Sequence, residues 1–215
     1  MTRHTPPRTV GLLGGSFNPA HSGHRAITLA AIAALDLDEA WWLVSPGNPL
    51  KPATDMAPLP ARVRSAQKQA RRAPIRPTAI EAQIGTRYTA DTLRALVRRY
   101  PHIRFIWIMG ADNLAQFHRW RDWRAIARTM PIAVVARPGY EAQAHRAVAM
   151  GWLRLFVRPA RQSRTWTDWR PPALVLLRFR PDPSSATLLR RASPLWHRDL
   201  SAVEIRDSLT RRIIT

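Results

Sequence analysis

Residues 14–24 read GGSFNPAHSGH, between the apolar run TVGLL (9–13) and a helical stretch from His24 to Leu35. A turn joining a strand to a helix needs fewer special residues than two glycines, a proline and two histidines. Gly14 and Gly15 let the backbone leave the strand sharply and approach a ligand with no side chain in the way. Asn18 and Pro19 favour a turn, Ser22 can cap the helix, and the N–H groups of its first turn present partial positive charge to an anion. His21 and His24 lie three apart, so in a helix starting near Ser22 they share one side of its N-terminus, a geometry that suits a phosphate flanked by two imidazoles. The stretch lacks the Lys-Ser/Thr ending of a Walker loop and the GxGxxG order of a dinucleotide fingerprint. Residue by residue, blander readings stay open. Gly-Gly after a strand is a common turn, and a lone histidine is more often structural than catalytic. A His-x-x-His pair can bind metal, although further ligands at helix spacing are missing nearby.

Outward from this stretch the chain alternates in kind. AWWLV (40–44), IRFIWIM (103–109), PIAVVA (131–136) and ALVLLRF (173–179) join TVGLL as short apolar runs, rich in β-branched or aromatic residues and bounded by Gly or Pro, and they read as strands. Helical stretches lie between them: His24 to Leu35, Leu59 to Arg72, Thr89 to Tyr100, Leu114 to Arg128 and Glu141 to Met150. Alternating strand and helix imply right-handed crossovers and a parallel sheet covered on both faces, an α/β Rossmann-like doubly wound domain with a small C-terminal helical segment. We expect one domain over 9–215 after a tail at 1–8, with 137–172 variable and 185–215 a C-terminal helical part. Within it, 151–172 reads as a loop or insertion and SAVEIRDSLTRRII as a terminal helix. Ligands of such sheets bind beyond the carboxyl ends of the strands, and the glycine-histidine stretch sits there.

Composition narrows the class. At 215 residues with 46% hydrophobic content the chain can bury a real core, and no apolar run approaches the roughly 18 residues of a membrane span. MTRHTPPRTV does not resemble a secretory signal, and zero cysteines exclude disulfides and thiolate metal sites, so a soluble, cytoplasmic protein is expected. The net charge of +20 is nearly all arginine, the lysines being Lys51 and Lys68 alone. Such charge attracts nucleic acid or phosphorylated small molecules. No nucleic-acid-binding motif accompanies it, so nucleic acid is disfavoured as a partner. Homo-oligomerisation is left open.

GGSFNPAHSGH resembles the GG-x-F-(D/N)-P-x-H-x-GH signature of the nucleotidylyltransferase superfamily. A second signature, S-(S/A)-T-x-(I/L)-R, is matched by SATLLR (185–190) after the last strand; LSAVEIR (200–206) is an imperfect echo with valine in place of threonine. Between them, SPGNPLKP (45–52), RYTADTL (87–93) and MGADNLAQFHRW (109–120) resemble the substrate loop, the YTxDTL helix start and the GxD…W segment of bacterial nicotinate-nucleotide adenylyltransferases. The histidine usual in that substrate loop is absent, Lys51 holds its basic position, and Arg121 stands where a second aromatic is frequent. Phosphopantetheine adenylyltransferases share the outer motifs but usually carry threonine where His21 stands.

The resemblance implies transfer of AMP from ATP to nicotinate mononucleotide, with no covalent enzyme intermediate, giving nicotinate adenine dinucleotide and pyrophosphate. It implies that Gly14, Gly15, Ser16, Phe17, His21, His24, Gly110, Asp112, Ser185, Thr187 and Arg190 meet ATP. His21, His24 and Arg190 would be the catalytic set, with His24 on the α-phosphate in the transition state. Ser185, Thr187 and Arg190 would meet the β- and γ-phosphates, and Asp112 the adenine or ribose side. Ser16, Phe17, Lys51, Thr89 and Trp120 would contact the acceptor nucleotide, the last two near its ring. Mg²⁺ would bridge phosphate oxygens with few or no protein ligands. The alternatives are nicotinamide mononucleotide or phosphopantetheine as acceptor, or a basic protein that binds a nucleotide or RNA without chemistry.

Overall fold

A computed structural model describes residues 7–47, 56–136, 146–179, 186–200 and 204–214. Seven strands form one all-parallel sheet: β1 (Arg8–Gly15), β2 (Glu39–Val44), β3 (Ile75–Thr78), β4 (Ile103–Gly110), β5 (Ile132–Ala136), β6 (Val157–Arg158) and β7 (Leu174–Arg178). Their order is β3-β2-β1-β4-β5-β7-β6. The chain thus winds outward from β1 to one edge, returns to lay β4 on the other side of β1, and winds outward again. The reversal falls between β1 and β4, where a doubly wound sheet opens a crevice past its strand ends.

The alternation of side chains along each strand explains why these runs are apolar throughout. Val10 and Leu12, Trp41 and Leu43, Phe105, Trp107 and Met109 enter the core on one face. Leu13, Trp42 and Val44, Ile106 and Ile108 enter the core on the other. Both faces must therefore be covered. The covering helices are α1 (Ser22–Leu35), α2 (Leu59–Ala70), α3 (Ile80–Gln83), α4 (Thr89–Arg99), α5 (Ala111–Gln116), α6 (Trp123–Thr129) and α7 (Met150–Leu153), while α8 (Ala186–Ala192) buries none of its residues.

The five strands expected from the apolar runs are present, and two more were illegible. β3 is an edge strand of four residues, IRPT, whose proline and half-exposed Arg76 hide any apolar pattern. β6 is two exposed residues on the opposite edge. The single helix expected over Leu114 to Arg128 is instead broken into α5, a 3₁₀ turn at Phe117–Arg119 and α6. Trp120 is extended and Asp122 left-handed (φ 52°) at the break, which lets Trp120 and Trp123 both meet Phe117 edge-on at 5.4 and 5.7 Å. Of the helix expected over Glu141 to Met150, residues 141–145 lie outside the described set, Arg146 is helical, and a turn at 147–149 separates it from α7, which begins at Met150.

The segment 151–172 is not a loop. It carries β6 and 3₁₀ turns, and it packs on the end of α1, where the buried Trp166 Nε1 donates to Leu35 O (3.0 Å) and Ser163 Oγ to Ala34 O (2.7 Å). The expected terminal helix is also absent from the described part of the tail. Residues 204–214 turn back through an antiparallel bridge between Arg206 and Ile213 around the fully buried Asp207.

Candidate active site

The turn after β1 differs in detail from the reading of its glycines. β1 runs through Gly15, so neither glycine is where the chain leaves the strand. Gly14 is there for space, since a Cβ at this position would lie 2.5 Å from Cη2 of the buried Trp107 on the neighbouring strand. Gly14→Ala is expected to cost about 1–3 kcal/mol, as overpacking against a rigid ring does, and urea unfolding would measure it. The departure comes at Phe17, which takes a left-handed φ of 47° while its ring is buried against Trp42 (centroids 5.0 Å apart) and His24 (4.8 Å).

Helix α1 then starts at Ser22, but His21, not Ser22, is its N-cap. The His21 N–H donates to His24 Nδ1 at 3.2 Å, and the two imidazole centroids are 3.9 Å apart. An accepting Nδ1 assigns the ring proton of neutral His24 to Nε2. Burial, helped by the neighbouring His21, lowers the His24 pKa to about 3. At neutral pH the unliganded ring is therefore an uncharged N–H donor.

These residues line a cleft of about 530 Å³ past the ends of β1 and β4, a volume suited to a nucleotide-sized ligand. Of the residues singled out from sequence, Gly14, Gly15, Ser16, His21, His24, Thr89, Gly110, Asp112 and Trp120 line it together. Phe17 lies buried beneath the turn. Gly110 caps α5 at the end of β4, and a Cβ there would collide with the Asp112 carboxylate. Thr89 opens α4, and Trp120 stands on Phe117 and edge-on to Trp107 (6.3 Å).

The second signature is only partly accounted for. Arg190 of α8 donates through Nη1 to Asn18 O at 2.6 Å, which ties it to the same turn, and Thr187 accepts a long 3.4 Å bond from its other nitrogen. Neither residue is among those lining the cleft. Ser185 and Lys51 lie outside the described residues. The echo LSAVEIR ends in Arg206, which pairs with Glu204 on the surface at 2.7 Å.

Arg121, which the sequence places where a second aromatic is frequent, also lines the cleft, with its guanidinium 4.5 Å from the centroid of the Tyr88 ring. Sequence reading missed two further residues here. The buried Glu81 accepts from Thr92 Oγ1 at 3.2 Å and lines the same cleft; burial raises its pKa to about 7. Arg62 is 1% exposed and holds the cleft's loops from below. Among the described residues there is no cluster of three or more His, Asp or Glu able to hold a metal ion.

Glu81 gives the fold a pH signature. The folded carboxyl keeps its proton up to about pH 7, whereas an ordinary glutamate loses it near 4.5. The stabilisation is complete below about 4.5 and is lost as pH rises through 7. His24 acts in the opposite sense, costing stability as pH falls from 6.5 toward 3. A Glu81→Gln variant isolates the first effect. Across the glutamate window, wild type should lose on the order of 3 kcal/mol relative to the variant, read from melting curves at a series of pH values.

Residues 12–192 match the cytidylyltransferase-like family. A probable nicotinate-nucleotide adenylyltransferase of Erythrobacter litoralis is 62% identical over 95% of this chain and 94% of its own length. One of the same description from Cereibacter sphaeroides is 49% identical over 87% of this chain and 98% of its own. Among solved structures, Plasmodium falciparum nicotinic acid mononucleotide adenylyltransferase complexed with NaAD superposes with a TM-score of 0.62 at 15% identity, covering 86% of this chain and 83% of that one. The same enzyme complexed with APC gives 0.60 at 14% identity. These two structures establish likeness of fold.

Proposed function

The chain belongs to the cytidylyltransferase-like family, among its nicotinate-nucleotide adenylyltransferases, and from that membership we propose that it transfers AMP from ATP to nicotinate mononucleotide in NAD biosynthesis. The products are nicotinate adenine dinucleotide and pyrophosphate. The observation that carries the reading is the single cleft in which the His21–His24 pair at the start of α1 faces Thr89, Trp120, Gly110 and Asp112.

The acceptor phosphate attacks the α-phosphorus of ATP, its oxygen forming the new P–O bond while the bond to the β-phosphate oxygen breaks and pyrophosphate departs. The protein's task is to align two anions and neutralise the charge that develops. His24 donates from Nε2 to an α-phosphate oxygen, its ring fixed by the His21 N–H, and His21 binds a neighbouring phosphate oxygen. The N-terminus of α1 adds its dipole. Arg190 and Thr187 serve the β- and γ-phosphates from beside the Asn18 turn, and Ser185 is assigned to the same phosphates on the family resemblance alone. Asp112 takes the adenosine side.

At the other end Trp120 and Tyr88 offer indole and phenol faces to an electron-poor pyridine ring, with Thr89 beside it. Arg121, held over Tyr88, supplies the positive charge that favours a ring carboxylate over a carboxamide. Lys51 is assigned to the acceptor's side on the family resemblance alone.

Mg²⁺ accompanies ATP in this scheme. The cleft's carboxylates are Asp112 and the raised-pKa Glu81, a donor set that fits a metal held chiefly by phosphate and water oxygens. The metal's contribution is to offset phosphate charge. A cytoplasmic setting goes with this reading, the substrates being soluble anions, and no described helix is long and apolar enough to cross a membrane.

The test is product analysis after incubation with ATP, Mg²⁺ and, separately, nicotinate mononucleotide, nicotinamide mononucleotide or phosphopantetheine. Nicotinate adenine dinucleotide as the dominant product supports the reading. Preference for another acceptor overturns the substrate, and no product from any of them brings the binding-protein alternative forward.

A further inference from the structure

Arg62 sits in the first turn of α2 with only 1% of its surface exposed, yet no carboxylate among the described residues pairs with it. Among the described residues its hydrogen-bond partners are all peptide carbonyls. Nε donates to Ala57 O (2.8 Å), Nη1 to Ser16 O (2.9 Å) and Ser45 O (2.6 Å), and Nη2 to Pro46 O (3.2 Å). Burial lowers its pKa to about 10, which leaves it protonated at neutral pH. A buried cation without a counter-ion is costly, and this one lies where the loops after β1 and β2 meet under the cleft.

What it does to those loops follows from peptide geometry. In a trans peptide the C=O and the following N–H point in opposite directions. Neither the Ser16–Phe17 nor the Pro46–Gly47 bond is cis. Drawing the Ser16 and Pro46 carbonyls down onto Arg62 therefore turns the Phe17 and Gly47 N–H groups the other way. Neither N–H donates a hydrogen bond within the described chain; Ser16 and Gly47 line the cleft, whereas the buried Phe17, next to Ser16, and Arg62 do not. The left-handed φ of 47° at Phe17, unfavourable for so bulky a residue, is the backbone state this arrangement holds in place.

We propose that Arg62 is a positioning residue, which from beneath the cleft turns two peptide planes so that the Phe17 and Gly47 N–H groups face it as paired donors to phosphate oxygens of the bound nucleotides. The inference rests on the adenylyl-transfer reading. The guanidinium itself touches no substrate.

Arg62→Lys keeps a charge but cannot span four carbonyls from one nitrogen. It should raise the KM for ATP and for nicotinate mononucleotide by about 10-fold or more, the scale of one lost charge-assisted contact, with a smaller fall in kcat. Trp166→Phe is the control, because it loosens a buried bond at the opposite end of α1 and should destabilise the protein without moving either KM. Arg62→Lys with wild-type KM values, or with losses no larger than the control at equal melting temperature, would overturn the proposal. A second measurement needs no variant: on adding ATP to the wild-type protein, at least one of the Phe17 and Gly47 amide protons should shift downfield. If both stay unmoved while ATP binds, the proposal is wrong. Wild-type protein that binds ATP with these shifts but forms no dinucleotide would instead sink the acceptor reading and leave Arg62's role standing.

Discussion

His24→Ala should lower kcat by at least about 100-fold, the cost of removing one preorganised donor to transition-state charge, while raising substrate KM values far less. The imidazole sits at the N-terminus of α1, its orientation set by the His21 N–H on Nδ1 and by packing against Phe17 and Trp42. With its pKa lowered to about 3, His24 of the free enzyme offers a neutral Nε2–H at neutral pH, so wild-type kcat/KM, which reports the free enzyme, should show no titration of this residue near 6.5. His24→Asn restores an acceptor for the His21 N–H but no donor at the Nε2 position, so it should recover stability and little rate. Steady-state kinetics on both variants, with circular dichroism to confirm the fold, decide the matter. Wild-type turnover by His24→Ala would remove His24 from the chemistry.

Asp207→Ala should be the most destabilising of the substitutions considered, by about 3–5 kcal/mol. The carboxylate is fully buried, and it accepts from Thr78 Oγ1 through both oxygens (3.0 and 2.9 Å) and from the backbone N–H groups of Ala79 (2.6 Å), Leu209 (2.8 Å) and Thr210 (2.9 Å). Truncation takes the acceptor from the Thr78 hydroxyl and from three peptide N–H groups, of which that of Ala79 is buried and those of Leu209 and Thr210 are part-buried. The residue joins the end of β3 to the C-terminal turn, which Gln67 on α2 also holds through Arg206 O at 2.8 Å. For a chain of this size the loss corresponds to a fall in Tm of roughly 6–20 °C. Asp207→Asn retains one acceptor oxygen and should lose clearly less. A Tm within a degree or two of wild type for the alanine variant would show that the C-terminal turn does not anchor the fold.

The contrast between these two residues marks what a sequence can disclose. His24 belongs to a local pattern, since the strand, the turn and the helix start around it are contiguous and each residue's neighbours in sequence are its neighbours in space. The sheet is legible for the same reason, because strands buried on both faces write themselves as unbroken apolar runs. Asp207 acts across 129 residues, on Thr78, and that partnership overrides the helical appearance of SAVEIRDSLTRRII. β3 escapes because an edge strand with a proline carries no run. The break at Trp120–Asp122 escapes because it is set by how three aromatic rings meet. Arg62 lay within reach: it is four residues before Ala66 and eight before Ala70, both buried, on the apolar stripe of a helix whose other basic residues, Arg64 and Lys68, obscure it. Glu81, beside the buried Ile80, left no comparable mark.

In the proposed reaction two nucleotides lie together on the crevice between β1 and β4 and react directly, without the enzyme taking the adenylyl group. ATP made chiral at its α-phosphorus by a single sulfur substitution tests this in one reaction with nicotinate mononucleotide. Inversion of configuration in the dinucleotide product is expected, as one in-line displacement requires. Retention would demand two displacements and a covalent adenylyl-enzyme, and would contradict it.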